Sequence, residues 1–241
     1  MNKSILVLLI AACAFTLVSA QTNYCALCAN HIACNHPGTF DASCPADARI
    51  ESLGSTEINI LLDTHNNHRN NMAGGAYPPF PSARAMNALT WDPELAFIAE
   101  LNVKQCAMRH DSCRGTSQFP YAGQNLYMHG TSGAFQPIST QLIDAVDRWF
   151  NEYLLASPND ITSCCGGANF NNIGHFLQVV QDRAIRIGCA ASRFTDSPWR
   201  RTLIACNYSW PNFLNQPVYV AGVAGSGCSS RNSVFTNLCN A

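Results

Sequence analysis

The sequence predicts an α+β domain of layered helices and mainly antiparallel strands, secreted and stapled by disulfides. Helical periodicity comes first along the chain and strand-like segments last, the order expected of an α+β layered domain. Of 13 cysteines, one (Cys13) lies in an N-terminal apolar leader, and the remaining 12 are an even set suited to an oxidising compartment. With 241 residues, 47% hydrophobic and 12% charged, the chain can bury a proper core and does not depend on staples alone.

Each element follows from a local signal. Lys3 precedes an apolar run from Ile5 to Val18, and Val18-Ser19-Ala20 has the small-residue pattern that signal peptidase reads. Residues 1–20 are therefore expected to be a cleaved leader. The run is shorter than the roughly 20 residues that a bilayer core requires, so no stable membrane insertion is expected. Residues 21–50 hold Cys25, Cys28, Cys34 and Cys44 among Asn, Gly and Pro, too broken for a core of their own. They read as a stapled extension.

The main domain is expected over residues 51–221. Ile58, Leu61, Leu62, His65, Arg69 and Met72 share one helical face, with Ser55 and Thr56 as candidate caps and Gly74-Gly75 as the stop. Asp92-Pro93 opens a second helix carrying Leu95, Ala99, Asn102 and Cys106. A third runs from a cap at Ser139 or Thr140 through Leu142, Ile143, Val146, Trp149, Phe150 and Tyr153 toward Pro158. Strand-like segments follow at Phe176–Gln181, Arg186–Arg193, Leu203–Tyr208 and Val218–Ala221. Residues 222–241 form a cysteine-containing tail.

Charge excludes some partners. There are 14 basic and 15 acidic residues and no basic run, so a nucleic-acid partner is not expected. No Gly-x-Ser-x-Gly elbow or HExxH helix is present, and every cysteine after the leader has a plausible bridge partner. Enzymatic readings therefore rank below binding. Asn207-Tyr208-Ser209 is a formal glycosylation sequon on a predicted strand beside Cys206, expected to be unused. Arg114-Gly115-Thr116 reads as an ordinary turn.

The segments "GHFLQVVQ" (174–181), "IACNYSWPNFLNQPVY" (204–219), "HNNHR" (65–69) and "AGQNLY" (122–127) resemble the signature segments of the CAP superfamily of cysteine-rich secretory, antigen 5 and pathogenesis-related proteins. The segments "NYCALCANHIACNHPGTF" and "NVKQCAMRHDSCR" are similar to the insect antigen 5 branch, known from venom and saliva. The resemblance implies a three-layer α-β-α sandwich with a three- or four-stranded antiparallel central sheet. It also implies bridges Cys25–Cys34, Cys28–Cys113, Cys44–Cys106 and Cys189–Cys206. The second and third would pin the extension, removing roughly 3–5 kcal/mol of unfolded-chain entropy each on the chain-entropy model. Cys164, Cys165, Cys228 and Cys239 are left with three possible pairings, among which a bridge from the "SCCGG" loop to the tail is preferred over a vicinal one.

A central cleft is also implied, its matching positions being His110, Gln124, Glu152 and His175, with Gln124 standing where the superfamily has an acid. Two imidazoles suit a zinc or copper ion, with Glu152 or water completing the shell. Read from local pattern alone, His175 at the head of an apolar stretch is a hydrogen-bonded core or cleft residue. His31, His36 and His129 fall in predicted loops and receive no role. The implied function is that of a secreted, monomeric, non-catalytic protein and allergen of insect saliva or venom, requiring no cofactor. It would bind host extracellular proteins or small mediators of haemostasis and immunity. Two alternatives are a carrier of small lipid mediators, using the aromatic "NYSWPNFLNQPVY" segment, and a zinc- or copper-dependent redox or hydrolytic enzyme.

Overall fold

The computed structural model describes residues 22–240, so the expected leader lies outside the described residues. The extension makes one short helix, α1 (Tyr24–Leu27), capped by the Asn23 side chain. It is tied down by bridges Cys25–Cys34, Cys28–Cys113 and Cys44–Cys106. Polar contacts add to these: Ile32 N–H donates to Cys113 O, and His31 Nε2–H donates to Gly115 O at 2.7 Å.

Strand β1 (Arg49–Glu51) leads into α2 (Ser55–Ala73), whose first turn is closed by the Glu57 carboxylate accepting from Gly54 N–H. The expected caps Ser55 and Thr56 therefore lie inside the helix, because a glutamate three residues on satisfies the preceding amide instead. Strand β2 (Thr90–Trp91) and α3 (Pro93–Val103) follow, with Asp92 accepting from Leu95 N–H and Pro93 in the first turn. Then come β3 (Gly123–Thr131), α4 (Ile138–Asn151), a 3-10 turn (Glu152–Leu155), α5 (Pro158–Thr162), α6 (Phe170–Val179), β4 (Arg186–Asp196) and β5 (Trp199–Tyr208).

The sheet runs β1-β4-β5-β3, all antiparallel, with two-residue β2 added in parallel on β4. Alternation along the strands explains the layers. Ile187, Cys189, Ala191, Ile204, Cys206 and Tyr208 face the large core shared with α2, α4 and α6. Ala190, Phe194, Leu203, Ala205 and Leu126 face the smaller core against α3. Both faces are covered, which yields the three-layer α-β-α sandwich. At Gly188 an added Cβ would lie 2.1 Å from Ala96 N, so glycine lets the start of α3 rest directly on β4. Cys189–Cys206 bridges β4 to β5.

Arg69 is the largest fully buried side chain. Its guanidinium donates to the carbonyls of Asn87, Val179, Gln181 and Ala184, joining α2 to the end of α6 and to the approach to β4. Burial lowers its pKa to about 10, still leaving it charged at neutral pH.

Several expectations are corrected. Phe176–Gln181 is not a strand: residues through Val179 belong to α6, where Ile173, Phe176 and Leu177 are buried at helical spacing. A short apolar run cannot by itself distinguish a buried strand from a buried helix. Val218–Ala221 forms no ladder, since its backbone bonds go to three separate segments, through Ile161 O, Asp182 N and Arg84 N. Helix α4 begins after Pro137, placing Ser139 and Thr140 within it. It ends at Asn151, and Pro158 opens α5 instead of closing α4. The preferred loop-to-tail bridge is absent: Cys164 pairs with Cys165 and Cys228 with Cys239. The loop is fastened to Asn215 and Gln216, whereas the tail is fastened to Arg84, Met86 and Ala88, and this keeps the two pairs apart. Strand β3 is a further element that periodicity misses, because buried Gln124 and Asn125 interrupt its apolar pattern.

Candidate functional site

The cleft opens between the loop after α3, the start of β3, helix α6 and the segment after β5. It has a volume of about 360 Å³ and includes His110, Gln124 and His175 in its wall. Glu152, the first residue of the 3-10 turn after α4, stands directly behind His175. The structure thus gathers all four expected residues.

The hydrogen bonds determine what each can offer. Asn207 Nδ2 donates to Leu95 O at 3.2 Å, which turns Asn207 Oδ1 toward Gln124. Gln124 Nε2 donates to that oxygen at 3.0 Å and to Asp111 Oδ2 at 2.8 Å. Gln124 Oε1 is then left to accept from His110 Nδ1 at 2.7 Å. This chain of assignments places the proton of neutral His110 on Nδ1 and a lone pair on Nε2. Partial burial lowers the His110 pKa, opposed by the Gln124 contact and assisted by the nearby Arg114 guanidinium and by His175, so the neutral form is favoured.

His175 is oriented in the same way by a different partner. Its Nδ1 donates to Glu152 Oε1 at 2.6 Å. Glu152 Oε2 accepts from the His175 and Phe176 amides at 2.9 and 3.2 Å. Glu152 is therefore turned toward the ring and backbone of α6, where both of its oxygens are engaged. It is a carboxylate that fixes a histidine, of the kind found behind metal ligands. Among the described residues, no group of three or more His, Cys, Asp or Glu side chains is placed to hold a metal ion. The available donors are the two Nε2 atoms.

Supporting residues reach deep into the fold. Asn125 Nδ2 donates to His175 O and to the Tyr208 hydroxyl, and that hydroxyl meets His65 Nε2 at 2.8 Å. Asp111 accepts from Asn102 and Gln124 and pairs with Arg114. Gly123 lies where a Cβ would strike the Gln178 side chain, whose Nε2 donates to Trp210 O. Asp111 and Asn207 were not expected site residues. Asp111 adjoins His110 in sequence, but nothing local marks either as a buried partner of Gln124. The sequon Asn207 is fully buried, with its amide engaged. His65, His31 and His68 make structural contacts, His68 through Asp147 at 2.7 Å, and His129 lies on β3.

Comparison with known proteins places this geometry in context. Residues 62–208 match the model of the cysteine-rich secretory protein family, CAP. The chain is 34% identical over 232 residues to Venom allergen-1 of Aedes aegypti, covering 94% of this chain and 91% of that protein. It is 41% identical over 169 residues to Antigen 5 like allergen Cul n 1 of Culicoides nubeculosus, covering 70% and 76%. Among solved structures, "Crystal structure of NaASP2 with Zn2+" matches with a TM-score of 0.66 and 23% identity, over 82% of this chain and 100% of that one. That likeness concerns the fold.

Proposed function

Since the chain belongs to the cysteine-rich secretory protein (CAP) family, with insect venom allergen and antigen 5 proteins among its relatives, we propose that it is a secreted binding protein without catalytic turnover, directed at host extracellular proteins or small mediators of haemostasis and immunity. The disposition of the carboxylates beside the cleft supports this reading. Glu152 has both oxygens engaged by His175 and Phe176, and Asp111 has both engaged by Arg114, Asn102 and Gln124. Neither presents a free oxygen to abstract a proton from a substrate or water, which a general base requires. Among the described residues, no helix is long and apolar enough to cross a membrane.

A second reading is carried by the two histidines. Each ring has its Nδ1 engaged, the orientation that leaves Nε2 for a divalent ion. Their chemistry fits zinc or copper, held weakly because the protein supplies two donors and solvent the rest. When bound, such an ion would act as a Lewis acid or an anchor for an anionic ligand. The residues themselves contribute orientation: Gln124 aims His110, and Glu152 aims His175.

Calorimetric titration of zinc and copper into the mature protein, beside a His110→Ala/His175→Ala double variant, tests both readings. Weak stoichiometric binding that the double variant lacks is expected. Metal-stimulated hydrolysis or redox turnover that disappears in the double variant would overturn the non-catalytic reading. The lipid-carrier alternative would be supported by an apolar molecule co-purifying with the protein and detected by mass spectrometry.

A further inference from the structure

Two further cavities lie beside the two-histidine cleft. One of about 320 Å³ shares Arg114, Ala122 and Pro211 with it, and another of about 340 Å³ shares Pro120 and Tyr121 with the second. Through these shared walls the three cavities adjoin as a stepped surface groove, the last of them lined by Trp210 and Arg183.

Two features of its wall stand out. First, Tyr121 is 61% exposed and meets Phe213 edge-on at 5.9 Å, and Phe213 meets Trp210 edge-on at 5.6 Å. An aromatic ladder beside Pro120 and Pro211 is the kind of surface that receives an extended peptide. Second, no carboxylate lines any of the three cavities among the described residues, and of the two arginines that do, Arg114 is held by Asp111 and Ala122 while Arg183 is not. Arg183 is exposed, lies 5.5 Å over the Trp210 ring and enters no ion pair among the described residues. The neighbouring Asp182 is buried, with its carboxylate accepting from Val220 N–H.

The surface is also held rigid. Cys28–Cys113 and the His31 contact to Gly115 O brace the loop that presents Tyr121. Within that loop, Thr116 and Phe119 exchange two hydrogen bonds. The N-terminal extension thus serves as a buttress for the groove, and preorganisation of this kind lowers the ordering cost of binding.

We propose that this groove binds an extended acidic segment of an extracellular protein, with proline or aromatic residues against Tyr121 and Trp210 and a carboxylate against Arg183. The proposal rests on the reading of the chain as a binding protein and names the chemistry of its partner.

The test is fluorescence anisotropy of the mature protein with a labelled peptide of repeated Glu-Tyr-Pro triplets and its Lys-Tyr-Pro counterpart. The acidic peptide should bind, more weakly as salt rises. Arg183→Glu and Tyr121→Ala, both surface changes checked for folding by circular dichroism, should each weaken it about tenfold or more. Equal binding of the basic peptide, or variants that bind like the parent, would overturn the proposal. So would binding of labelled palmitate, sensitive to the same variants, with no peptide binding. Failure of the broader reading would look different: metal-dependent turnover lost in the His110/His175 double variant, whatever the peptide does.

Discussion

Replacing His65 with phenylalanine should flatten the acid limb of the stability curve. His65 is fully buried on α2, where Nδ1–H donates to Leu61 O at 2.7 Å and Nε2 accepts from the Tyr208 hydroxyl at 2.8 Å. Burial depresses its pKa to about 3, so the folded protein keeps the ring neutral. The unfolded chain protonates the same ring below about pH 6.5 and therefore binds more protons across this window. Stability contributed by the neutral ring is present above about pH 6.5 and is lost as pH falls toward 3. The limiting slope is about 1.4 kcal/mol per pH unit, so between roughly pH 6.5 and 4.5 the loss is about 2–3 kcal/mol. The phenylalanine variant leaves the Tyr208 hydroxyl without its acceptor and should be about 1–2 kcal/mol less stable at neutral pH. It should not share the acid loss. Guanidinium unfolding at the two pH values, with disulfides intact, measures the difference. Other titrating groups, such as His110, Asp144 and Asp47, are common to both proteins and cancel in the comparison. Parallel stability curves for parent and variant would refute the argument.

Gln124→Glu would replace the donor that serves Asp111 and Asn207 with a carboxylate set against Asp111. It should destabilise the protein by about 1–3 kcal/mol and raise the His110 pKa by offering Nδ1–H a charged acceptor; an NMR titration of His110 that does not move would count against the assigned network. Arg69→Met preserves approximate volume but strips the donors from four buried carbonyls, with an expected loss of about 3–5 kcal/mol in thermal or chemical unfolding. A loss below about 1 kcal/mol would show that water or backbone shifts replace the guanidinium.

The sequence by itself determined the elements whose signals are local. Helices α2, α3 and α4 follow from apolar residues at helical spacing and, for α3, from Asp92-Pro93 at its start; β4 and β5 contain the strand-like segments Arg186–Arg193 and Leu203–Tyr208. The four cleft residues were legible through the resemblance of their surrounding segments to a known family, and no spacing between His110 and His175 marks them as a pair. Tertiary structure decided the rest. Apolar residues of "GHFLQVV" fit either a strand or a helix, and packing of Phe176 and Leu177 into the core beneath α4 selects the helix. Strand β3 is hidden because Gln124 and Asn125 are buried polar groups whose partners, on β5 and α6 and in the loop after α3, become neighbours only after folding. The pairing of the last four cysteines depends on where the loop and the tail dock, which no cysteine count contains. The same holds for Glu152. Its sequence position suggests a ligand or a base, but the amides at the middle of α6 claim one oxygen and His175 the other, making it a positioning residue. Local patterns encode which backbone bonds a segment can make with itself; the role of a side chain depends on groups that the folded chain brings to it from elsewhere.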